Sequence, residues 1–424
     1  MATTNAHAVG SLPPVGEIPP RMLAQVVRQD RLGDPIDAFE IEEIDTPSIK
    51  ADEVLVAVMA AGINYNNVWA ARGVPIDIIA TRQKAGASED FHVGGSDASG
   101  IVYAVGEDVE NVTVGDEVVI HHGWWDRDDP WVKAGKDPMI APSAKIWGYD
   151  GPNYGAFGQF AVAQAHQCMP KADHLTWEEA AAPSLVGTTA YRMLFGWQGN
   201  TVQSGDVVLI WGGSGGLGTQ AIQLVRHAGG VPVPVVSSAE KGEYCVSLGA
   251  AGYIDRTEFD HWGAPPHWTD GAGQKAWMAS ARAFGGKVWE IVGERKSPAI
   301  VFEHPGEDTV PTSVFVCDGG GMIVICAGTS GYSAVVDLRY HWVRQKRLQG
   351  SHGTNDEQAY AYNELVRAGK IDPCMTRVLE FDQIGRAHQE MDQGRHGLGN
   401  TSILVGAPQA GLGRKANGSR ATSR

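Results

Sequence analysis

The run Val207-Val-Leu-Ile-Trp-Gly-Gly-Ser-Gly-Gly-Leu-Gly218 constrains the fold of this chain more than any other segment. An apolar stretch enters a glycine cluster, and the amphipathic stretch Thr-Gln-Ala-Ile-Gln-Leu-Val leaves it. Gly213, Gly215 and Gly218 match the spacing G-x-G-x-x-G at a strand-to-helix turn. Such a turn needs glycine where the chain bends sharply and where backbone approaches a pyrophosphate. A helix beginning at about Gly216 offers free N–H groups to the phosphates, with Ser214, Gly216 and Leu217 completing the loop. Glycine triplets recur in many turns. The strand before this one and the helix after it make it a dinucleotide site in a doubly wound α/β domain.

The next strand, Val231-Pro-Val-Pro-Val-Val236, bears on the choice of nicotinamide cofactor. Folds that take NAD usually end this strand on Asp or Glu, which holds the ribose 2′-hydroxyl. Here it ends Ser237-Ser238-Ala-Glu-Lys241. Two hydroxyls and an ammonium suit a 2′-phosphate, so NADPH is the expected cofactor, with Ser237, Ser238 and Lys241 as its contacts. Glu240 is expected to point away as a helix-start residue. A plain alternative is that Ser237 caps a helix starting near Ala239.

A formal net charge of −15 disfavours nucleic acid and anionic membranes as partners. No apolar run of about 18 residues exists to cross a bilayer. Met1 to Leu12 lacks the basic and apolar regions of a secretory signal. The cysteines, Cys168, Cys245, Cys317, Cys326 and Cys374, are scattered and odd in number. They read as reduced core thiols of a cytoplasmic protein.

Residues 1–20 are rich in proline and glycine and read as an extended arm. Short strands follow, including Val54–Met59, Gly100–Val105, Val114–Ile120 and Phe157–Val162. Their turn punctuation predicts a compact β-barrel. Helices and strands then alternate from about Trp177, with Thr176 as a helix cap and later strands at Ala299–Phe302 and Gly321–Cys326. The final strand, Thr401–Val405, is expected to return to the barrel. The expected division is a barrel over 21–186 and 360–408, a Rossmann domain over 187–359, and a disordered basic tail over 409–424. Residues from about 257 to 292 exceed a minimal Rossmann fold and carry Trp262, Trp268, Trp277 and Trp289. They read either as a functional insertion or as a tryptophan-packed surface helix.

The order of barrel, Rossmann domain and return resembles the medium-chain dehydrogenase/reductase superfamily, whose barrel is of the GroES-like type. Where its zinc branch carries a Gly-His-Glu metal motif, this chain reads Gly94-Gly-Ser-Asp-Ala-Ser-Gly100, with Ser96 and Asp97 in place of His and Glu. No C-x₂-C-x₂-C cluster exists either, so no catalytic or structural zinc is expected. Nearly the whole chain is similar to the enoyl-CoA carboxylase/reductase group. The similarity rests on Ala61-Gly-Ile-Asn-Tyr-Asn-Asn-Val-Trp69, Ile146-Trp-Gly-Tyr-Asp150, Leu175-Thr-Trp-Glu-Glu-Ala-Ala-Ala-Pro183, Phe302-Glu-His-Pro-Gly306, Arg339-Tyr-His-Trp342 and Lys346-Arg-Leu-Gln-Gly-Ser-His352.

That resemblance implies reduction of a short 2-enoyl-CoA thioester by NADPH, with hydride going to Cβ and the resulting enolate attacking CO₂ to give an alkylmalonyl-CoA. It places a CO₂ pocket on Asn66, Tyr149, Asp150 and His352. Asn66 would donate its amide N–H, Tyr149 a backbone donor, and His352 a direct or water-mediated hydrogen bond. Asp150 stands where carboxylating members usually have Glu, and Gly353-Thr replaces Phe-Ala. Asp is the residue of relatives that only protonate the enolate, so a reductase-only enzyme is the first alternative. A zinc-free quinone reductase and an NADPH-binding structural protein are further ones. Arg339 and Tyr340 would bind the acyl-CoA, within the basic run Arg339, Arg344, Lys346 and Arg347. By analogy the protein is a homodimer or homotetramer.

Overall fold

The strand Glu53–Gly62 is buried along its whole length. Its sequence, EVLVAVMAAG, is apolar at almost every position, as a strand covered on both faces must be. It pairs antiparallel with Ala98–Val105, Phe160–Gln164 and Asn400–Leu404. The last pairing brings the C-terminal strand back to the first part of the chain. The pairing with Ala98–Val105 shifts register twice along its length. Such irregularities bend a sheet towards closure. This computed structural model describes residues 6–415.

Two compact units emerge. Of the described residues, the first comprises 6–188, 353–369 and 373–415, and the second 189–352 and 370–372. In the first, a seven-stranded sheet and a three-stranded sheet enclose a core that includes Val56, Val58, Phe157 and Phe160. The helix at Trp177–Ala181 starts on a full capping box, in which Thr176 and Glu179 satisfy each other's backbone N–H groups. The segment expected to start a strand at Val114 is instead a turn. Asp116 accepts from the Thr113 N–H, Gly115 takes a positive φ, and the strand begins at Glu117.

The second unit is built on a parallel six-stranded sheet. Its spatial order is Ile254–Asp255, Val231–Val236, Val207–Trp211, Ile300–Glu303, Met322–Ile325 and Arg347–Gly350. Counted along the chain this is 3-2-1-4-5-6, the doubly wound order, with its switch point between Val207–Trp211 and Ile300–Glu303. Pro232 and Pro234 sit inside this sheet, where proline normally removes ladder bonds. Val231 N donates towards Asp206 O beside the first strand, so the alternate prolines face the other way. On that side Ile254–Asp255 pairs only with Val235 and Val236. The missing N–H groups therefore fall where no neighbour needs them.

The tryptophan-bearing stretch resolves into a 22-residue helix, Gly271–Val292. Asp270 caps its start, and Gly293 ends it in the left-handed region. Ala281, Phe284 and Val288 are fully buried along one face, with Phe284 stacked on Trp211. Trp262 packs edge-on against the same pair, and Trp277 packs against Phe315 and Tyr340. Trp268 alone of the four is strongly exposed, at 68%. Part of the stretch expected to be a disordered tail lies along the first unit. Lys171 donates to Gly413 O at 2.6 Å, and Arg414 pairs with Glu179 at 2.7 Å. Residues 416–424 of that tail lie outside the described residues.

Candidate active site

The glycines of the second unit divide three tasks. A Cβ on Gly213 would lie 2.3 Å from Pro234 Cβ, and one on Gly218 would lie 2.4 Å from Gly212 O. Both positions are closed by packing of turn, strand and helix. A Cβ on Gly215 would meet only Gly212 O, at 3.6 Å. Gly215 is also the N-cap residue of the helix Gly216–His227. The open approach at Gly215, before a helix start, is what a pyrophosphate requires. The left-handed residue of the turn is Gly212, which precedes the expected triplet. A Cβ there would lie 2.5 Å from the His304 ring.

At the end of Val231–Val236, Lys241 Nζ lies 3.1 Å from Ser237 Oγ. Ser238 rather than Ser237 caps the helix Ala239–Ser247, accepting from Lys241 N at 3.4 Å. This corrects the capping alternative. Ser237 keeps its hydroxyl beside an ammonium, and Glu240 is exposed in the first turn of that helix. The hydroxyl and ammonium fit a 2′-phosphate, and no carboxylate occupies the strand end.

Across the switch point, His304 Nε2 lies 3.0 Å from Trp211 O. Beside it, Glu303 is wholly buried and accepts from Thr309 Oγ1 at 2.6 Å, Ser313 Oγ at 2.6 Å and Gly306 N at 3.2 Å. Burial pushes its carboxyl up to about 7, against the pull of those donors. Glu303 and His304 belong to the Phe-Glu-His-Pro-Gly segment, but the residues alone did not single them out. Their place follows from the strand order.

In the first unit, three loops meet. Asn66 opens the helix Asn66–Arg72. Its Nδ2 donates to Ser96 Oγ at 2.8 Å, and its Oδ1 accepts from Asn67 Nδ2 at 3.0 Å. The amide is thus fixed, with one N–H of Nδ2 left over. The neighbouring Asp97 is fully buried. It accepts from Asn64 Nδ2 at 2.7 Å and from Leu185 N. Burial pushes its carboxyl up to about 8. The loop Ile146–Asp150 packs on the same backbone. Gly148 has φ +70, and a Cβ there would lie 1.9 Å from Gly95 O. Tyr149 and Asp150 are therefore carried towards the loop that holds Ser96.

Two details depart from expectation. The Tyr149 N–H is already spent on Ile146 O at 3.1 Å. Asp150 Oδ1 closes the same turn by accepting from Ile146 N at 2.7 Å. Asn66, Tyr149 and Asp150 come together in the first unit, whereas His352 belongs to the second, exposed just after the strand Arg347–Gly350.

The basic run of the second unit is less available than its sequence suggests. Lys346 is buried and caps the helix Val310–Val316, donating to Val314 O at 2.7 Å and Phe315 O at 3.2 Å. Arg347 is held by Gln198 O and Asn200 Oδ1, both at 2.7 Å. Arg339 is half exposed but paired with Asp337 at 2.5 Å. Its hydrogen bonds hold the Asp337 carboxyl below the usual range. Tyr340 packs edge-on against Phe315.

Comparison with known proteins places this geometry. The alcohol dehydrogenase GroES-like domain model matches residues 50–173, and the zinc-binding dehydrogenase model matches residues 216–368. A crotonyl-CoA carboxylase/reductase of Cereibacter sphaeroides is 47% identical, over 96% of this chain and 93% of its own. The chain belongs to the crotonyl-CoA carboxylase/reductase family. The solved structure of the crotonyl-CoA carboxylase/reductase AntE, in complex with NADP, is 52% identical with a TM-score of 0.92, over 96% of this chain and 100% of its own. The 2-octenoyl-CoA carboxylase reductase CinF, in complex with NADP and 2-octenoyl-CoA, is 36% identical with a TM-score of 0.85, over 94% of this chain and 91% of its own. The family fold, a GroES-like unit and a Rossmann unit, is the fold described above.

Proposed function

We infer that the protein is an NADPH-dependent enoyl-CoA carboxylase/reductase acting on a short 2-enoyl-CoA. The observation that carries the reading is the Asn66 amide, oriented by Ser96 at the place where the zinc branch has a metal ligand. The bound cofactor supplies hydride to Cβ of the thioester. The chain's own residues do the rest. The open backbone at Gly215 receives the pyrophosphate, and Ser237 with Lys241 receives the 2′-phosphate. The remaining N–H of Asn66 donates to a CO₂ oxygen. CO₂ carries no net charge, so only a donor aimed in advance can hold it, and water must be kept out or the enolate is protonated. His352 is the second donor of this proposal. Arg339 and Tyr340 bind the coenzyme A portion, with Arg339 exchanging Asp337 for a phosphate.

A reductase-only reading is favoured by one observation. Asp150 commits one oxygen to Ile146 N. Only its other oxygen is left to hold a water shared with a histidine, where a Glu would reach further.

The enzyme works as a homo-oligomer in this proposal. Among the described residues the strand Arg347–Gly350 pairs on one side only, with Met322–Ile325. Leu348 on the strand, and Leu338, Trp342 and Val343 in the segment that precedes it, lie exposed at 44–65%. An open edge with apolar cover is a pairing surface, and a second copy of this chain fits it. Among the described residues no helix is long and apolar enough to cross a membrane. The mostly buried cysteines suit the reducing cytoplasm.

Product analysis tests the reading. With crotonyl-CoA, NADPH, bicarbonate and carbonic anhydrase, the expected product is ethylmalonyl-CoA. Saturated butyryl-CoA alone at saturating CO₂ would assign the reductase-only role. NADPH oxidation with a benzoquinone but not with the thioester would overturn both.

A further inference from the structure

His121, His166 and Asp356 are not used by the proposed reaction, yet they bring three metal-ligating atoms to one point. His121 follows the strand Glu117–Ile120, His166 lies in the short turn Ala165–Gln167, and Asp356 opens the helix Asp356–Arg367. All three belong to the first unit. His121 Nε2 lies 3.1 Å, and His166 Nδ1 2.8 Å, from Asp356 Oδ1. The three atoms lie within 4.8 Å of one another. Donors around an ion at bond lengths of about 2.0–2.2 Å stand roughly 3–3.6 Å apart. Small shifts that lengthen the two nitrogen–oxygen separations would thus admit one.

The surroundings match a metal site as well. A ligating histidine usually donates its remote ring N–H to an oxygen. His166 Nε2 faces Gln164 Oε1 at 2.9 Å. That amide is itself oriented, because Gln164 Nε2 donates to Trp125 O at 3.0 Å. With no ion bound, His166 Nδ1 donates to Asp356 Oδ1. An ion would displace that proton, and the Gln164 oxygen would keep the other one on Nε2, so that the Nδ1 lone pair is given to the cluster. The Trp125 ring lies against His166, with centroids 4.3 Å apart, and walls one side. The side chains are 0%, 10% and 43% exposed for His121, His166 and Asp356. The site is closed on the imidazole side and open beside the carboxylate, where a water can complete the coordination. Binding has two costs. The hydrogen bonds from both imidazoles to Asp356 Oδ1 are given up. His121 Nδ1 accepts from Gly123 N at 3.2 Å, and ligation through Nε2 moves the proton to Nδ1 and gives up that bond.

We propose that His121 Nε2, His166 Nδ1 and Asp356 form a site for a divalent transition metal of the zinc class. Two imidazoles and one carboxylate suit Zn²⁺ and its neighbours rather than Ca²⁺ or Mg²⁺, which take mostly oxygen. The ion would staple the first turn of the helix Asp356–Arg367 to the barrel. None of its donors is among the residues proposed to touch substrate, so the inference stands apart from the proposed reaction.

The test is zinc binding by the full chain, free of any affinity tag, stripped with a chelator and dialysed against micromolar Zn²⁺. One zinc per chain is expected, with a higher melting temperature than the stripped protein. Gln164→Leu removes the acceptor behind His166 and should weaken zinc roughly 10- to 100-fold. His166→Gln and Asp356→Asn, which remove ligands, should weaken it more and abolish the zinc-dependent rise in melting temperature. No stoichiometric zinc in the unmutated protein would overturn the proposal. So would undiminished zinc in the His166 and Asp356 variants, since the ion would then lie elsewhere. If those two variants fail to fold, Gln164→Leu decides alone, and an unchanged affinity refutes the site.

Discussion

Asn66 Nδ2 donates to Ser96 Oγ at 2.8 Å, so a hydroxyl in the position of a zinc ligand orients an amide. The zinc branch polarises its substrate with a metal. Here the same stretch of backbone serves to aim a hydrogen-bond donor, and electrostatic stabilisation must come from donors aimed in advance. Asn66→Leu removes the donor outright. The CO₂ oxygens gain negative charge as the enolate attacks, and a hydrogen bond to a charged group is worth roughly 1.5–3 kcal/mol, about 10- to 150-fold in partitioning. Alkylmalonyl-CoA should fall by that factor relative to saturated acyl-CoA, with NADPH oxidation falling less. Equal losses in both would move Asn66 from the CO₂ step to general architecture.

Ser96→Ala leaves the Asn66 amide in place but untethered. The expected effect is smaller, because a neutral hydrogen bond contributes about 0.5–1.5 kcal/mol. The ratio of carboxylated to reduced product should drop roughly 2- to 12-fold. A variant that partitions like the unmutated protein would show that Asn67, which donates to Asn66 Oδ1 at 3.0 Å, suffices to hold the amide.

Cofactor choice is expected to follow the Lys241–Ser237 pair. Lys241→Ala should raise KM for NADPH far more than for NADH, since only the former has a 2′-phosphate. Initial rates with both cofactors check it. Equal efficiency with NADPH and NADH in the unmutated protein would contradict the assignment.

What could be read in advance was what is local. The strand, glycine turn and helix around Gly213 to Gly218 are neighbours in sequence, and their periodicity carries the signal. The capping box of Thr176 and Glu179 is local too. Gly212, Glu303 and His304 act together only because the sheet places Ile300–Glu303 beside Val207–Trp211, about 90 residues away in the chain by the pairing of Ile210 with Phe302. Lys346 looked like part of a cationic patch, because charge runs are visible in sequence and burial is not. It is a helix cap. Asp150 likewise revealed its acid in sequence but not the turn it closes.

The burial of Lys346 makes its own prediction. Lys346→Met should leave the last carbonyls of Val310–Val316 unpaired and lower stability by about 1–3 kcal/mol. KM for the acyl-CoA should hardly change. An urea midpoint and a KM determination separate the two. A large rise in KM with unaltered stability would restore Lys346 to the coenzyme A site.

The buried acid beside Ser96 links stability to pH. Burial raises the Asp97 carboxyl from its ordinary 3.8 to about 8, although Asn64 and Leu185 donate to it. Between those values the folded chain holds a proton that the unfolded chain has lost. Stability from this group is therefore fully present below about pH 4 and is lost as pH rises towards 8, at about 1.4 kcal/mol per pH unit. Above that pH the loss is complete and the slope ends. Asp97→Asn removes the titration while keeping the shape. The stability of the unmutated protein relative to this variant should therefore decline from pH 5 to pH 8 in urea unfolding. One of the two donors will face the new amide N–H₂, so the variant loses a hydrogen bond at every pH, which offsets the curves without changing their relative slope. A constant difference across that range would mean that Asp97 keeps the same charge in folded and unfolded chains. Its two donors, and not its proton, would then hold the Asn64 loop against the Leu185 helix start.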